Sequence, residues 1–211
     1  MGEQLLADYY VADRKELVAF ARTQGVFGTA LDIGCASGIF GENLLGAGIV
    51  QTCDGIEPFG DAAQSASARL RRVWHGTLES VASDVPWTDY DLLSMADVLE
   101  HLVDPWTALR QLRERTQAGC RLLLSVPNVR HYKVSMPLLF KGEFRYTDQG
   151  IMDRTHLHFY TRDSLAETLQ DCGWRIRAIG SNMKKRYRKP WVPRWLEPFV
   201  AVQYFILAEK Q

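Results

Sequence analysis

Apolar residues recur along this chain in two alternating rhythms. Short apolar runs read as buried strands: TALDIG (29–34), TCDGIEP (52–58), RVWHG (72–76), the start of YDLLSMADVLEHL (90–102) and CRLLLSVPN (120–128). Between them lie stretches with helical spacing: residues 3–24, GIFGENLLGAG (38–48), 60–72 and PWTALRQLRERTQ (105–117), where Pro105 suits a first helical turn. Residues 128–160 then lose any clear period. A further helix, TRDSLAETLQDCGW (161–174), follows, with Thr161 or Asp163 placed to cap it and Gly173 to end it. WRIRAIGS (174–181) and FVAVQYFILAEK (199–210) alternate as two last strands around a basic, proline-bearing loop. Strands alternating with helices predict an α/β fold, a doubly wound seven-stranded sheet that is mostly parallel with an antiparallel C-terminal hairpin. The expectation is a single domain over residues 1–211 with an insertion at about 128–160 placed as a lid.

In such a sheet, ligands sit beyond the carboxyl ends of the strands where the strand order reverses, so the first turn carries most of the chemistry. That turn is LDIGCASGIF, Leu31 to Phe40. A dinucleotide loop needs glycine at its first, third and sixth positions; here Gly34 fits the first, Ala36 takes the third, Ile39 the sixth, and Gly38 the fifth. Asp32, just before the loop, would repel a phosphate and suit a cationic or amino-bearing ligand. Glu57 ends the second strand, where a carboxylate can accept both hydroxyls of a ribose, and Asp54 sits too early in the strand for that task. GTLES after the third strand offers Glu79, or the Thr77 and Leu78 backbone, to an adenine edge.

These residues resemble the class I S-adenosylmethionine-dependent methyltransferases, whose fold is Rossmann-like. LDIGCASG resembles their glycine-rich motif, GIEP the ribose acid, GTLES the adenine-side loop, and DLLSMADVLEHLVDP the fourth-strand motif of the ubiquinone-type O-methyltransferases. YYVADRKEL (9–17) is similar to the segment in which that group closes a Tyr and an Arg over the methionine carboxylate, roles that fall to Tyr10 and Arg14. The resemblance implies a methyltransferase that binds S-adenosylmethionine through Tyr10, Arg14, Asp32, Gly34, Cys35, Ala36, Gly38, Phe40, Glu57, Pro58, Thr77, Leu78, Glu79, Ala96, Asp97 and His101. Ala36 replaces the more usual Gly and should shift the loop backbone slightly.

Methyl transfer from a sulfonium needs alignment above all, and a hydroxyl acceptor needs in addition a base or a metal. If a helical turn begins at the end of the fourth strand, Asp97, Glu100 and His101 share one face. His101 is then a candidate base; the resemblance also implies a divalent ion such as Mg²⁺ on Asp97, Glu100 and His101; the plainest reading has Glu100 and His101 brace the next helix. DRTHLHFYT (153–161) supplies Asp153, His156 and His158, and in an extended strand the two histidines would share a face. They are candidate catalytic or metal-ligating groups, or hydrogen-bonding ties for the lid. The insertion also resembles the acceptor lid of methyltransferases found alongside surface-polysaccharide glycosyltransferases, which implies O-methylation of a small molecule or glycan.

Composition narrows the rest. Lys plus Arg and Asp plus Glu are 25 each, so the whole chain carries no nucleic-acid or membrane signature. Residues 184–195 nevertheless interleave cations with Tyr187, Trp191 and Trp195, a composition suited to a phosphate-bearing or lipid-linked substrate, to single-stranded nucleic acid, or, most commonly, to a solvated, partly packed loop. Cys35, Cys53, Cys120 and Cys172 show no CxxC pair and no disulfide-like spacing. Neither a signal-like start nor an apolar run of membrane-spanning length is evident, so a cytoplasmic setting is expected. The rival readings are a nicotinamide oxidoreductase on the same sheet and a non-catalytic protein that binds the cofactor; the oligomeric state is unreadable from the pattern.

Overall fold

A computed structural model describes residues 14–183, 187 and 193–210. The elements are α1 (Lys15–Arg22), β1 (Phe27–Ile33), α2 (Ile39–Gly46), β2 (Val50–Glu57), α3 (Gly60–Ser67), β3 (Val73–His75), β4 (Leu92–Ala96), α4 (Pro105–Arg115), β5 (Arg121–Pro127), α5 (Tyr132–Lys141), α6 (Arg162–Asp171), β6 (Trp174–Met183), α7 (Glu197–Val200) and β7 (Ala201–Lys210). One seven-stranded sheet runs in the order β3-β2-β1-β4-β5-β7-β6. The pairings among β1 to β5 are parallel, and β7 is antiparallel to both β5 and β6. This is the Rossmann-like sheet with a C-terminal hairpin that the pattern predicts.

Period-two alternation sorts the strands' apolar side chains onto two faces. Leu31, Ile33, Leu93, Met95, Leu122 and Leu124 pack with Leu109 and Leu112 of α4 and Leu165 and Leu169 of α6. Ala30, Leu92, Leu123, Phe205 and Leu207 pack on the other face with Leu17 of α1, Phe40 and Leu44 of α2 and Ala66 of α3. The chain leaves β1 towards β2 on one side and returns to β4 on the other, so the reversal point lies between the tips of β1 and β4.

The helix boundaries follow local chemistry. Asp104 caps α4 by accepting from Thr107 N–H at 3.0 Å, with Pro105 next in line. Thr161 caps α6 in a reciprocal box with Ser164. The segment expected to be irregular contains α5, begun by His131 and ended by left-handed Gly142. Its apolar residues hide a helical period because most of them face outward and Pro137 interrupts the hydrogen-bond ladder. The third helix is shorter than residues 60–72: α3 stops at Ser67, and Arg71 N–H turns instead to the Cys53 carbonyl.

Candidate functional site

The turn after β1 folds because three residues take left-handed backbone: Gly34 at φ 69°, Ala36 at φ 49° and Gly38 at φ 82°. Part of the reason for small residues is internal packing. A Cβ on Gly34 would come within 2.7 Å of a Val98 methyl, and one on Gly38 within 3.0 Å of the Ala66 backbone. Ala36 takes up left-handed backbone, at a cost of about 1 kcal/mol for a residue with a Cβ. What holds it there is Glu57, whose Oε2 accepts the Ala36 N–H at 2.7 Å while Oε1 accepts the Phe59 N–H at 3.0 Å.

Glu57 therefore joins the tips of β1 and β2. It is buried, and burial raises its carboxyl above the ordinary glutamate value while the two N–H donors pull the other way. Two of its roughly four acceptor directions go to backbone, which leaves the carboxylate able to accept further hydroxyls. Asp32 lies one strand over, fully buried; Ser94 donates to its Oδ1 at 2.7 Å, and Oδ2 has no partner among the described residues. Burial pushes its carboxyl up to about 6.

Asp97 stands at the tip of β4 with φ 58° and collects three donors. Arg14 Nε reaches Oδ2 at 3.2 Å, and Ser125 Oγ and Gln203 Nε2 each reach Oδ1 at 2.8 Å. Arg14 also donates to the Ala96 carbonyl at 2.9 Å. The expected common face of Asp97, Glu100 and His101 is not formed. The left-handed residue 97 ends the strand direction, and a separate 3-10 turn, Leu99–His101, carries the other two.

Glu100 points inward, 1% exposed, and neither carboxyl oxygen has a partner among the described residues. Burial, aided by the Asp97 charge, raises its carboxyl well above the ordinary value. Its backbone carbonyl accepts from Leu157 and His158 N–H at 2.9 and 3.1 Å, fastening the insertion to the tip of β4. That junction brings the His156 ring edge-on to His101, with centroids 4.8 Å apart. His101 Nδ1 faces the Thr155 carbonyl at 3.2 Å and His156 Nδ1 faces the Ile151 carbonyl at 3.1 Å. A carbonyl can only accept, so both rings carry their proton on Nδ1 and present Nε2 as the basic nitrogen. Burial, followed by His156, lowers His101 below the ordinary histidine value, which keeps it neutral at pH 7.

The two histidines of DRTHLHFYT thus part company. Residues 156–159 are not a strand, and His158 turns to Trp106 and the Val103 carbonyl. Asp153 accepts from Thr155 N–H and Oγ1 in a local turn and does not orient His156. The ligand atoms that do gather within 4.8 Å of one another belong to Glu100, His101 and His156, so His156 takes the place expected of Asp97. Elsewhere in the predicted set, Phe40 and Cys35 are buried and Glu79 and Thr77 are exposed. Leu78 packs on the core and Pro58 offers its carbonyl to His75. Tyr10 and most of the basic loop lie outside the described residues. Ser94, Ser125 and Gln203 were assigned no role from the sequence; the pairing of β4 with β1 and β5, and of β5 with β7, brings them to Asp32 and Asp97.

Beside this junction lies a cavity of 620 Å³. Tyr132 and Pro137 of α5, Phe144, Ile151, Met152 and Val202 are among its walls. Ile151 links it to His156 through its carbonyl, and Val202 is the chain neighbour of Gln203, which holds Asp97. Its walls come mostly from residues 131–152, within the insertion expected at about 128–160, and neither His101 nor His156 is among them.

Comparison with known proteins adds four observations. A family model described as a methyltransferase domain matches residues 6–179. The chain is 29% identical over 163 residues to a ubiquinone biosynthesis O-methyltransferase of Aeromonas salmonicida, covering 74% of this chain and 67% of that one. It is 26% identical over 188 residues to the mitochondrial ubiquinone biosynthesis O-methyltransferase of Schizosaccharomyces pombe, covering 85% and 68%. Among solved structures, an S-adenosylmethionine-dependent methyltransferase of Archaeoglobus fulgidus superposes with a TM-score of 0.67 at 18% identity, over 99% of both chains.

Proposed function

The chain belongs to the class I S-adenosylmethionine-dependent methyltransferases, and from that premise we propose that it methylates a hydroxyl oxygen of a small-molecule or glycan acceptor. The cofactor supplies an electrophilic methyl group when bound. The residues proposed to seat it are Arg14, Asp32, the Gly34–Gly38 turn, Glu57 and Asp97, which ring the strand-reversal point, with Glu57 accepting the ribose hydroxyls. A nicotinamide reading loses its ground with the family.

The observation that carries O-methylation is the His101–His156 contact, in which both Nδ1 atoms face carbonyls and both Nε2 atoms are left as acceptors, with burial lowering His101 so that it is neutral at pH 7. A hydroxyl must lose its proton as it attacks, whereas a neutral amine attacks without prior deprotonation. A buried imidazole held neutral at pH 7 meets that need. His101 is the proposed proton acceptor; burial, and after it the His156 ring packed against it, lowers its pKa. The insertion is tied down at the Glu100 carbonyl, which keeps His156 against His101. A phosphate-bearing or lipid-linked acceptor handled through residues 184–195 is compatible, since Tyr187 lines the same cavity.

Glu100, His101 and His156 also form a two-nitrogen, one-carboxylate donor set. That set fits a borderline transition ion better than Mg²⁺, which favours oxygen. The unpartnered Glu100 oxygens favour this second reading; an ion there would acidify the acceptor hydroxyl.

Turnover with candidate hydroxyl and amine acceptors tests the proposal, with His101→Ala and His156→Ala alongside. Loss of about 10²–10⁴-fold in kcat for His101→Ala, with cofactor affinity retained, is the expected result. Unchanged turnover in both variants contradicts it. Loss of activity on chelation, restored by a transition ion and not by Mg²⁺, selects the metal reading.

A further inference from the structure

We propose that Arg69, which no sequence motif marks, is a positioning residue for S-adenosylmethionine, holding the turn after β1 from its outer side through the Ser37 carbonyl. This role presupposes that the cofactor is seated on that turn, as proposed above. Arg69 follows the end of α3. Its Nη1 donates to the Ser37 carbonyl at 3.2 Å and to the Ser65 carbonyl at 2.9 Å, and its Nε meets a carboxylate oxygen of Glu42 at 3.2 Å. One guanidinium therefore joins the turn, α2 and the last residues of α3. Ser37 stands between two left-handed residues, Ala36 and Gly38. The Ser37–Gly38 peptide is held at both edges: Arg69 donates to its carbonyl, and its N–H reaches the Cys35 carbonyl at 2.8 Å. The Cys35–Ala36 peptide is held in the same way, with Gly38 N–H on its carbonyl and Glu57 accepting its N–H. Glu57 is thus an inner strut of the turn and Arg69 an outer one.

The segment that carries Arg69 is itself fixed from two sides. Ala66 and Leu70 press on the turn and on α2: a Cβ on Gly38 would come within 3.3 Å of Leu70 Cγ, and one on Gly41 within 2.7 Å of a Leu70 methyl. Two residues beyond Arg69, Arg71 makes a bidentate pair with the buried Asp54 of β2 at 2.8 and 2.6 Å. Asp54, too early in its strand to reach a ribose, anchors instead the chain that delivers Arg69. Magnitudes separate the contacts of Arg69. Its pair with Glu42 is open to water, with the side chains 33% and 56% exposed, so screening leaves it little weight. The bond to Ser37 is charge-assisted and acts on backbone that a ligand must approach closely, where a displacement of about 0.5 Å already loosens a site.

The test is calorimetry of the full chain with S-adenosylmethionine, with urea unfolding alongside. Arg69→Ala should weaken binding by about 3- to 10-fold. Arg69→Lys should recover part of that loss, because an ammonium still donates to carbonyls, although it lacks the planar fork. Glu42→Ala should change the affinity by less than about twofold. The urea midpoint reads a purely structural role separately: a residue that only stabilises the fold lowers the midpoint and leaves the affinity of the folded chain unchanged. Wild-type affinity in Arg69→Ala overturns the proposal whatever the midpoint, and so does a lysine variant that binds no more tightly than the alanine one. Glu57→Gln, measured beside them, tells the two readings apart. If it weakens binding and Arg69→Ala does not, the cofactor seat stands and the outer strut falls; if neither does, the cofactor is not seated on this turn and both fall.

Discussion

Arg14 and Asp97, 83 residues apart in the chain, meet in an ion pair at 3.2 Å, and both do so from left-handed backbone, at φ 44° and 58°. The pair ties the start of α1 to the tip of β4 and is mostly enclosed, at 14% and 16% side-chain exposure. Breaking it from either side should leave a part-buried charge without its partner. Arg14→Ala and Asp97→Asn are each expected to cost about 1–3 kcal/mol in stability and to weaken S-adenosylmethionine binding. A double-mutant cycle on binding and urea unfolding should return a coupling of about 1 kcal/mol or more; simple additivity would show that the contact is incidental.

Glu57→Gln replaces an acceptor-only group with one that points an NH₂ at a backbone donor. Either the Ala36 or the Phe59 N–H then loses its acceptor, and so would a ribose hydroxyl. Cofactor affinity should fall about 10- to 100-fold, the range for hydrogen bonds to a charged group, with a lower melting temperature. Calorimetry and thermal unfolding read the two effects separately; full affinity in the variant would place the ribose elsewhere.

Position 36 separates conformational cost from volume. Ala36→Gly removes the Cβ from a φ of 49°, offset in part by the freer unfolded chain, so stability should change by no more than about 1 kcal/mol. Ala36→Val adds a β-branched side chain to a buried left-handed residue and should cost more than about 2 kcal/mol, a fall of several degrees in Tm. A stable valine variant would mean that the loop does not hold this backbone.

Much of this architecture was legible in the sequence, because strands and helices buried on two faces advertise their period. Gly34, Gly38, the Thr161 cap and the Pro105 start are local signals, and local signals read well. Helix α5 was not legible, since its apolar residues face outward and Pro137 sits inside it. The His101–His156 contact also escaped. Alternation in DRTHLHFYT suggested His156 with His158, but Leu157 and His158 give their N–H groups to the Glu100 carbonyl, and that tertiary bond sets the ring directions. Asp97 looked like a ligand for a cation; β5 and β7 deliver Ser125 and Gln203 to it, and α1 delivers Arg14.

Glu100 makes stability depend on pH. Its folded carboxyl is raised above the unfolded value, so its contribution is present below the unfolded pKa and is lost as pH rises through the folded one. Asp32, raised to about 6, has the same sign but is lost by about that pH. His101 is lowered and acts below its ordinary value of 6.5, where acid favours the unfolded chain. Glu57 is raised in the same direction, so the difference between wild type and Glu100→Gln, rather than the wild-type slope alone, isolates Glu100. Urea midpoints of the wild type should fall as pH rises above the ordinary glutamate range, and Glu100→Gln should flatten that fall. Identical slopes would mean that the Glu100 carboxyl is already ionised.

The central claim is that one cleft at the tips of β1, β2 and β4 presents the cofactor's methyl to an acceptor beside His101 and His156. A crystal structure with S-adenosylhomocysteine bound tests it most directly. The account predicts the ribose hydroxyls on the Glu57 carboxylate and the sulfur facing the cavity, with the His101 and His156 rings on its far side. A ribose placed away from Glu57, or a sulfur turned from that cavity, would contradict it.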